Sequence, residues 1–229
     1  MTLRWIDRPS PNHGPRPAGA RAELLILHYT GMPTADHALA RLCDAAAQVS
    51  AHYTVDEDGT IYAHVPEERR AWHAGVSRWR GVADVNSRSI GVEIVNPGHE
   101  FGYRPFPAVQ MASVVALCRG IVERQAIAAA DVLGHSDIAP ARKEDPGELF
   151  DWPGLAAQGV GLWPTPSQAD YGPFDSAEVA ALLGRYGYEP TESRALLAFQ
   201  RHFRPERLTG TPDTETVRRL RALVRATGR

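Results

Sequence analysis

The amino-acid sequence predicts an α/β fold of the α+β kind, in which helices flank a mixed central β-sheet and a small all-α domain of three helices follows. Three observations support this prediction. Strand-like apolar runs alternate with amphipathic helical segments through roughly the first 160 residues. A turn-rich segment with prolines at 164, 166 and 173 comes next, and three short helical patterns fill the remainder. We therefore expect a domain at residues 1–164, a linker at 165–173 and a three-helix domain at 174–229.

The elements of the first domain follow from the spacing of apolar residues. The patterns predict, in order, a buried strand at 23–28, a helix at 34–48 capped by Thr34, a hairpin at 51–65, a strand at 89–95 and a long helix at 107–125. Residues 67–88 are polar, rich in arginine and without a regular period, so we expect loops there. We predict a mixed sheet because these elements follow one another as strand, helix, hairpin, strand and helix.

The C-terminal segment has three apolar stripes at helical spacing. Their members are Val179, Leu182, Leu183 and Tyr186; Leu196, Leu197, Phe199 and Phe203; and Val217, Leu220, Leu223 and Val224. A module of this size is more consistent with a binding appendage than with a second catalytic centre. The stripes are needed for a core whatever the module binds, so they carry no information about a ligand.

Composition limits the class of protein. A net charge of -2 and a pI of about 6.5 argue against binding to nucleic acid. The N-terminus lacks the apolar segment of a signal peptide, and no stretch is long and apolar enough to span a bilayer. We therefore expect a protein of the cytoplasm, or of the periplasm if a leader was removed. The sequence does not indicate an oligomeric state, so a monomer is the default expectation. Cys43 and Cys118 are expected to be buried free thiols.

One lysine stands out in this arginine-rich chain. Lys143 is the only lysine among 25 basic residues, and it lies between His135 and Asp145. A compact ammonium differs from a planar guanidinium in shape and hydration, so its single use indicates a specific role. The alternative is a solvated loop charge, with the scarcity of lysine due to coding bias.

Two histidines and an aspartate form a candidate metal set. His28 ends a predicted strand, His135 follows the long helix, and Asp145 comes ten residues later. Three protein ligands leave a fourth position for water, as in catalytic zinc sites. Glu93 lies in an apolar strand, where a carboxylate needs a partner or a task such as general base catalysis. Taken singly, each residue also fits an ordinary structural role. The histidines could be hydrogen-bonded core residues, the aspartate could begin a turn, and the glutamate could face outward or form an ion pair.

Five separate motifs resemble the zinc-dependent N-acetylmuramoyl-L-alanine amidases of the AmpD and AmiD type. In matching order, they are Leu27–Thr30, Ser50–Tyr53 leading to Asp58–Gly59, Ala71–Gly75, Ser89–Asn96 and Gly134–Gly147. The last motif, His-Ser-Asp-Ile-Ala-Pro-Ala-Arg-Lys-Glu-Asp-Pro-Gly after the first glycine, is the most specific. The C-terminal helices resemble, more weakly, a three-helix peptidoglycan-binding module.

The resemblance implies a role for each matching residue. It implies one Zn²⁺ in the catalytic domain bound by His28, His135 and Asp145, with Glu93 and Lys143 as the catalytic pair. It also implies substrate binding by Trp72, His73, Tyr53 and Asn96, although packing is an equally good role for Tyr53. The implied reaction is hydrolysis of the amide between N-acetylmuramic acid, or its 1,6-anhydro form, and L-alanine of a stem peptide. The implied partners are peptidoglycan or soluble muropeptides.

A non-catalytic peptidoglycan recognition protein is the alternative. Related receptors share the expected fold but lack a complete metal set. The complete set of His28, His135 and Asp145, together with Glu93 and Lys143, favours the enzyme.

Overall fold

The structure is a computed structural model that describes residues 3–189, 192 and 194–228. Its strands in chain order are β1 (Trp5–Asp7), β2 (His13–Pro15), β3 (Leu24–Tyr29), β4 (Tyr53–Val55), β5 (Ile61–Ala63), β6 (Arg69–Ala71), β7 (Arg78–Trp79), β8 (Val82–Ala83), β9 (Ser89–Ile94) and β10 (Val132–Gly134). Its α-helices are α1 (Ala35–Cys43), α2 (Gly98–Phe101), α3 (Ala108–Gln125), α4 (His135–Ile138), α5 (Trp152–Ala157), α6 (Ser176–Tyr186), α7 (Ala195–Phe203) and α8 (Thr214–Thr227).

A six-stranded mixed sheet forms the centre of the molecule, which confirms the predicted fold class. Its strand order is β1-β5-β4-β9-β3-β10. β3 runs parallel to both β9 and β10, and β9 runs parallel to β4, while β4 and β5 form the predicted antiparallel hairpin. The carboxyl ends of β3, β9 and β10 therefore meet at one edge of the sheet.

Both faces of the sheet are covered, and the side chains of β3 show how. Successive residues of a strand point to opposite faces. Leu25 and Leu27 accordingly join a core with α3, whereas Leu24 and Ile26 join a core with the C-terminal helices. This explains why β3 is apolar at consecutive positions rather than at alternate ones.

The C-terminal helices α6, α7 and α8 share the second core with the sheet. The buried ring of Trp79 lies edge-on to Tyr186 and Tyr188, with centroids 5.4 and 5.2 Å away. Gly187 between these tyrosines has a φ of +150°, and a side chain there would collide with the Trp79 ring. The three predicted helices are therefore present and docked, while the domain boundaries at 164 and 174 stay predictions.

Two local features differ from the sequence-based expectation. α1 ends at Cys43 rather than near residue 48, because Asp44 caps a separate turn of 3₁₀-helix through Ala46 N and Gln48 adopts a left-handed backbone conformation. The segment expected to be loops contains the short strands β6, β7 and β8. Strands of two or three residues are too short to show a period. Cys43 and Cys118 are free thiols as predicted, although Cys43 is only half-buried.

The arginines of α8 are paired with acidic groups of the chain. Arg221 binds Glu178, Arg225 binds Asp170, and Arg219 binds both Glu206 and Glu215. These pairs give the arginines of the last helix acidic partners within the chain. Within the described residues, no helix combines the length and the apolarity needed to cross a bilayer.

We expect Trp79→Ala to lower the free energy of unfolding by about 3–5 kcal/mol, because it opens a cavity between the sheet and the C-terminal helices. Trp5→Ala is the matched control, since Trp5 is 48% exposed, and its cost should stay below about 1 kcal/mol. Urea unfolding followed by circular dichroism measures both. Equal costs for the two variants would contradict the anchoring role of Trp79.

Candidate metal centre and active site

The parallel strands bring the predicted metal ligands together. His28 lies near the end of β3, and His135 begins α4 directly after the neighbouring strand β10. Asp145 returns from the following loop to the same point. His28 Nδ1 lies 2.9 Å from His135 Nδ1, and each nitrogen lies 3.0 Å from Asp145 Oδ2. All three residues are buried.

The surroundings of His135 fix which of its ring nitrogens carries the proton. Its Nε2 lies 3.1 Å from the carbonyl oxygen of Ala74, which can only accept a hydrogen bond. The Ala74 carbonyl is the nearer partner of Nε2, with the Arg142 guanidinium at 3.3 Å, so we assign the proton to Nε2 and the lone pair to Nδ1, which faces Asp145 and His28. The guanidinium of Arg142 donates to the same carbonyl and holds it in place.

A chain of hydrogen bonds fixes His28 in the same way. The Ser89 hydroxyl donates to the Val85 carbonyl at 2.7 Å and so accepts from His73 Nε2 at 3.1 Å. Burial lowers the pKa of His73 well below its usual value, with His28 adding to the effect. Neutral His73 therefore accepts at Nδ1 from His28 Nε2 at 3.0 Å. The Nδ1 atom of His28 is left with a lone pair.

The Nδ1 atoms of His28 and His135 and the Oδ2 atom of Asp145 therefore face one another as acceptors in these tautomers. Burial, and next the neighbouring His135, lowers the pKa of His28 to about 4, so its imidazole is neutral. Burial opposes ionisation of Asp145, but the charge and the hydrogen bonds that His135 and His28 supply whenever either ring is protonated hold the pKa of this carboxyl below its usual range. Neutral imidazole and ionised carboxylate are the forms that bind metals. The residues present therefore fit a metal ion.

This group is distinct within the part of the chain that the structure describes. There, His28, His135 and Asp145 form the one set of three or more His, Cys, Asp or Glu side chains whose ligand atoms lie within 4.8 Å of one another. The set is compatible with a metal site, as the sequence predicts.

The candidate metal centre lies in a groove of about 540 Å³. Besides the three ligands, the groove is lined by acidic, basic and aromatic side chains, including Tyr29, Arg41, Trp72, His73, Glu93, His99, Arg142, Lys143 and Arg194. Arg194 comes from the segment just before α7, so the C-terminal helices contribute to the groove. The groove is open to solvent and large enough for an extended ligand.

Glu93 projects from β9 directly beside His28, since these two residues are register partners. Its Oε2 atom is buried and lacks a hydrogen-bond partner among the described residues. Burial raises the pKa of Glu93 well above its usual value, and Asp145 raises it further, whereas Lys143 opposes the shift. A buried carboxyl oxygen with no partner needs a task or a ligand to offset its desolvation.

Comparison with known proteins identifies the family. The model of the N-acetylmuramoyl-L-alanine amidase family matches residues 18–148, which include every residue of the candidate site except Arg194. The chain belongs to this family.

Two curated relatives show which members of the family this chain resembles. It is 40% identical to the N-acetylmuramoyl-L-alanine amidase AmiD of Escherichia coli over 223 residues, which cover 86% of this chain and 80% of AmiD. It is 33% identical over 161 residues to the 1,6-anhydro-N-acetylmuramyl-L-alanine amidase AmpD of the same organism, which cover 63% of this chain and 86% of AmpD. The predicted enzyme class, a hydrolase of the muramyl-L-alanine amide, is therefore confirmed.

Two solved structures match nearly the whole amidase. A complex of Escherichia coli AmiD with the substrate anhydro-N-acetylmuramic acid-L-Ala-D-γ-Glu-L-Lys has a TM-score of 0.81 and 37% identity, and covers 93% of both chains. AmpDh3 from Pseudomonas aeruginosa in complex with anhydromuramic pentapeptide has a TM-score of 0.82 and 32% identity, with coverage of 92% of this chain and 94% of its own. Coverage this high includes the C-terminal helices.

The structure brings most of the predicted site residues of the amidase together, but not all of them. Glu93, Lys143, Trp72 and His73 line the groove beside the three ligands. His73 is nevertheless mostly buried, and both of its ring nitrogens are engaged by His28 and Ser89. His73 is therefore placed to support the metal ligand His28, and its direct contact with substrate stays a prediction.

Two predicted substrate-binding residues lie outside the groove lining. The Tyr53 hydroxyl donates to Glu67 at 2.9 Å on another part of the sheet. Asn96 is fully buried, where its amide donates to the Arg104 carbonyl and its oxygen accepts from Gly98 N. These hydrogen bonds give both residues structural partners, so a role in substrate binding is not supported by their positions.

Sequence reasoning missed the residues that hold the ligands in place. Ser89 supports His73, and the Asn86 side chain accepts from the backbone amides of His73 and Ala74. In the sequence, Gly91 could have indicated this support, because a glycine inside a strand often marks a close approach of another group. Here the His73 ring packs directly on its Cα.

We expect Gly91→Ala to weaken metal binding by about 10-fold or more, the effect typical of losing a residue that supports a ligand. A methyl group at Gly91 would lie 2.4 Å from His73 Cγ, so the ring has to move and its hydrogen bond to His28 is lost. Gly14→Ala is the control, because no atom lies within 4 Å of the added methyl group. Competition with a chelator measures the affinities, and equal values for the two variants would contradict the role of His73.

Proposed function

We propose that this amidase holds one Zn²⁺ with His28, His135 and Asp145, and that it cleaves the amide between N-acetylmuramic acid, or its 1,6-anhydro form, and L-alanine. The convergence of three unprotonated acceptor atoms at 2.9–3.0 Å from one another carries the proposal. Zinc fits this donor set, since catalytic zinc sites combine three nitrogen or oxygen ligands with one open position. The three ligands line the groove that also contains Glu93.

The reaction replaces a carbon–nitrogen bond by a carbon–oxygen bond. When bound, zinc acts as a Lewis acid that polarises the scissile carbonyl and acidifies the attacking water. Glu93 accepts the proton of that water and delivers it to the departing amine of L-alanine. Its raised pKa matches this double task, because a carboxyl group that returns its proton must hold it for part of the cycle.

Lys143 supplies a positive charge to the same groove. Its backbone amide donates to the Ala139 carbonyl at 3.1 Å, which fixes the loop between His135 and Asp145. We assign its ammonium group to the oxyanion that develops on the carbonyl carbon of the substrate. An ammonium is a compact point charge, whereas a guanidinium is planar and more spread out.

The charges along the groove suit a muropeptide. Stem peptides carry carboxylates, and Arg41, Arg142, Arg194 and Lys143 line the groove with cations. The similar AmiD complex contains anhydro-N-acetylmuramic acid linked to a peptide. We therefore propose soluble anhydro-muropeptides as substrates, with intact murein as the second substrate to be measured.

We expect Glu93→Gln to lower kcat by about 10²–10⁴-fold, because the amide keeps the shape of the side chain but cannot accept a proton. The zinc content should stay at one ion per chain, since Glu93 is not a ligand. Glu123→Gln is the control, because Glu123 is exposed on α3 and pairs with Arg119. Release of L-alanyl peptides from an anhydro-muropeptide measures turnover. Activity near that of the parent would refute the assigned role.

We expect removal of zinc by a chelator to abolish hydrolysis and readdition of zinc to restore it. Measurement of the ion by atomic absorption should give one zinc per active chain. Full activity in zinc-free protein would contradict the proposed metal centre.

The compartment and the oligomeric state stay predictions. Fractionation of cells that express the native gene tests the expected cytoplasmic location against the periplasmic one. Analytical ultracentrifugation tests the expected monomer.

A further inference from the structure

A buried carboxylate links the metal-binding segment to the C-terminal helices. Asp137 lies two residues after His135 in α4, and only 1% of its surface is exposed. Oδ2 accepts from the Gly134 amide at 2.7 Å and from His202 Nδ1 at 2.7 Å. Oδ1 accepts from the Tyr188 hydroxyl at 2.6 Å. Two of these three donors belong to the C-terminal helical region.

The two donors are held rigidly. Tyr188 is fixed by its contact with Trp79, and burial together with the charge of Asp137 raises the pKa of its hydroxyl well above the usual value. The His202 ring is stacked between Trp152, at 3.7 Å between centroids, and Phe203, at 3.8 Å. Neither side chain has room to turn away from Asp137.

A further contact from α7 reaches the other end of the same segment. The guanidinium of Arg201 is mostly buried and lies 3.4 Å from Glu144 and 3.7 Å from Glu148. These glutamates flank Asp145. The segment from His135 to Asp145 carries two of the three metal ligands. The C-terminal helices thus contact this segment at both ends, next to each of these two ligands.

We propose that Tyr188 and His202 are positioning residues for the metal centre, acting through Asp137 on the turn that carries His135. The inference rests on the proposed function. α4 has only four residues, so its own hydrogen bonds cannot hold it, and external contacts must do so. Loss of a donor to a buried carboxylate leaves that group unsatisfied, and the turn shifts to recover a partner.

The decisive experiment compares Tyr188→Phe with Tyr186→Phe. Both tyrosines are buried, both contact Trp79, and each substitution removes a single hydroxyl group. The Tyr186 hydroxyl donates to the Ala130 carbonyl at 3.5 Å, five residues before His135, rather than to Asp137. We expect Tyr188→Phe to weaken zinc binding about 10-fold in chelator competition, while Tyr186→Phe retains the parent affinity.

A second pair of variants separates positioning from folding. His202→Phe keeps a ring between Trp152 and Phe203 but removes the donor, and we expect about the same 10-fold loss. His202→Asn keeps an N–H donor near the position of Nδ1, so it should restore most of the affinity. Thermal unfolding of the zinc-free proteins gives their stabilities independently. At saturating zinc, kcat of the weakened variants should return towards that of the parent.

The outcomes distinguish the two proposals. A parent protein that neither binds zinc nor cleaves muropeptides refutes the proposed function. A parent that does both, with Tyr188→Phe and His202→Phe binding zinc as tightly as Tyr186→Phe, overturns the positioning role alone. An affinity loss in His202→Asn equal to that in His202→Phe would also overturn it, because the donor would then have no effect.

Discussion

The convergence of two imidazole lone pairs and one carboxylate oxygen is the constraint on which the rest of the structure depends. Such groups repel one another when no cation is present, so the fold has to hold them together against electrostatics. It does so with hydrogen bonds on the far side of each ligand: the Ala74 carbonyl for His135, and His73 backed by Ser89 for His28. The protonation of each ring is therefore set by the protein before any metal binds.

The sheet provides the long-range part of this arrangement. His28 and His135 are 107 residues apart along the chain, but β3 and β10 are parallel neighbours whose ends coincide. Glu93 joins them because β9 is the neighbour of β3 on the other side. Cores on both faces keep these three strands from sliding, and a shift by one residue would turn His28 and Glu93 to the opposite faces.

The sequence predicted the elements with a clear period and the residues within specific motifs. The strand that contains His28, the hairpin and the long helix were correctly predicted because their apolar spacing extends over several residues. The short strands β6, β7 and β8 left no such pattern. Roles that depend on contacts across the chain could not be predicted. Gly91 indicates that some group approaches its strand, but the sequence does not show that this group is His73, or that Asn96 turns inward to the Arg104 carbonyl. A motif identifies which residues matter, but tertiary contacts decide what each one touches.

The proposed role of Tyr188 and His202 has a consequence for the C-terminal helices. Coupling between two binding events is reciprocal, so contacts that favour metal binding at His135 must be favoured by the metal in return. Bound metal then stabilises the docked position of α7. The gain in docking free energy is set by the ratio of the metal affinities of the docked and undocked states. Because Arg194 at the start of α7 also lines the groove, the same docking presents a cation to the substrate. On this proposal, the C-terminal helices connect metal retention to substrate binding, because His202 of α7 reaches Asp137 and the preceding residue Arg194 lines the groove.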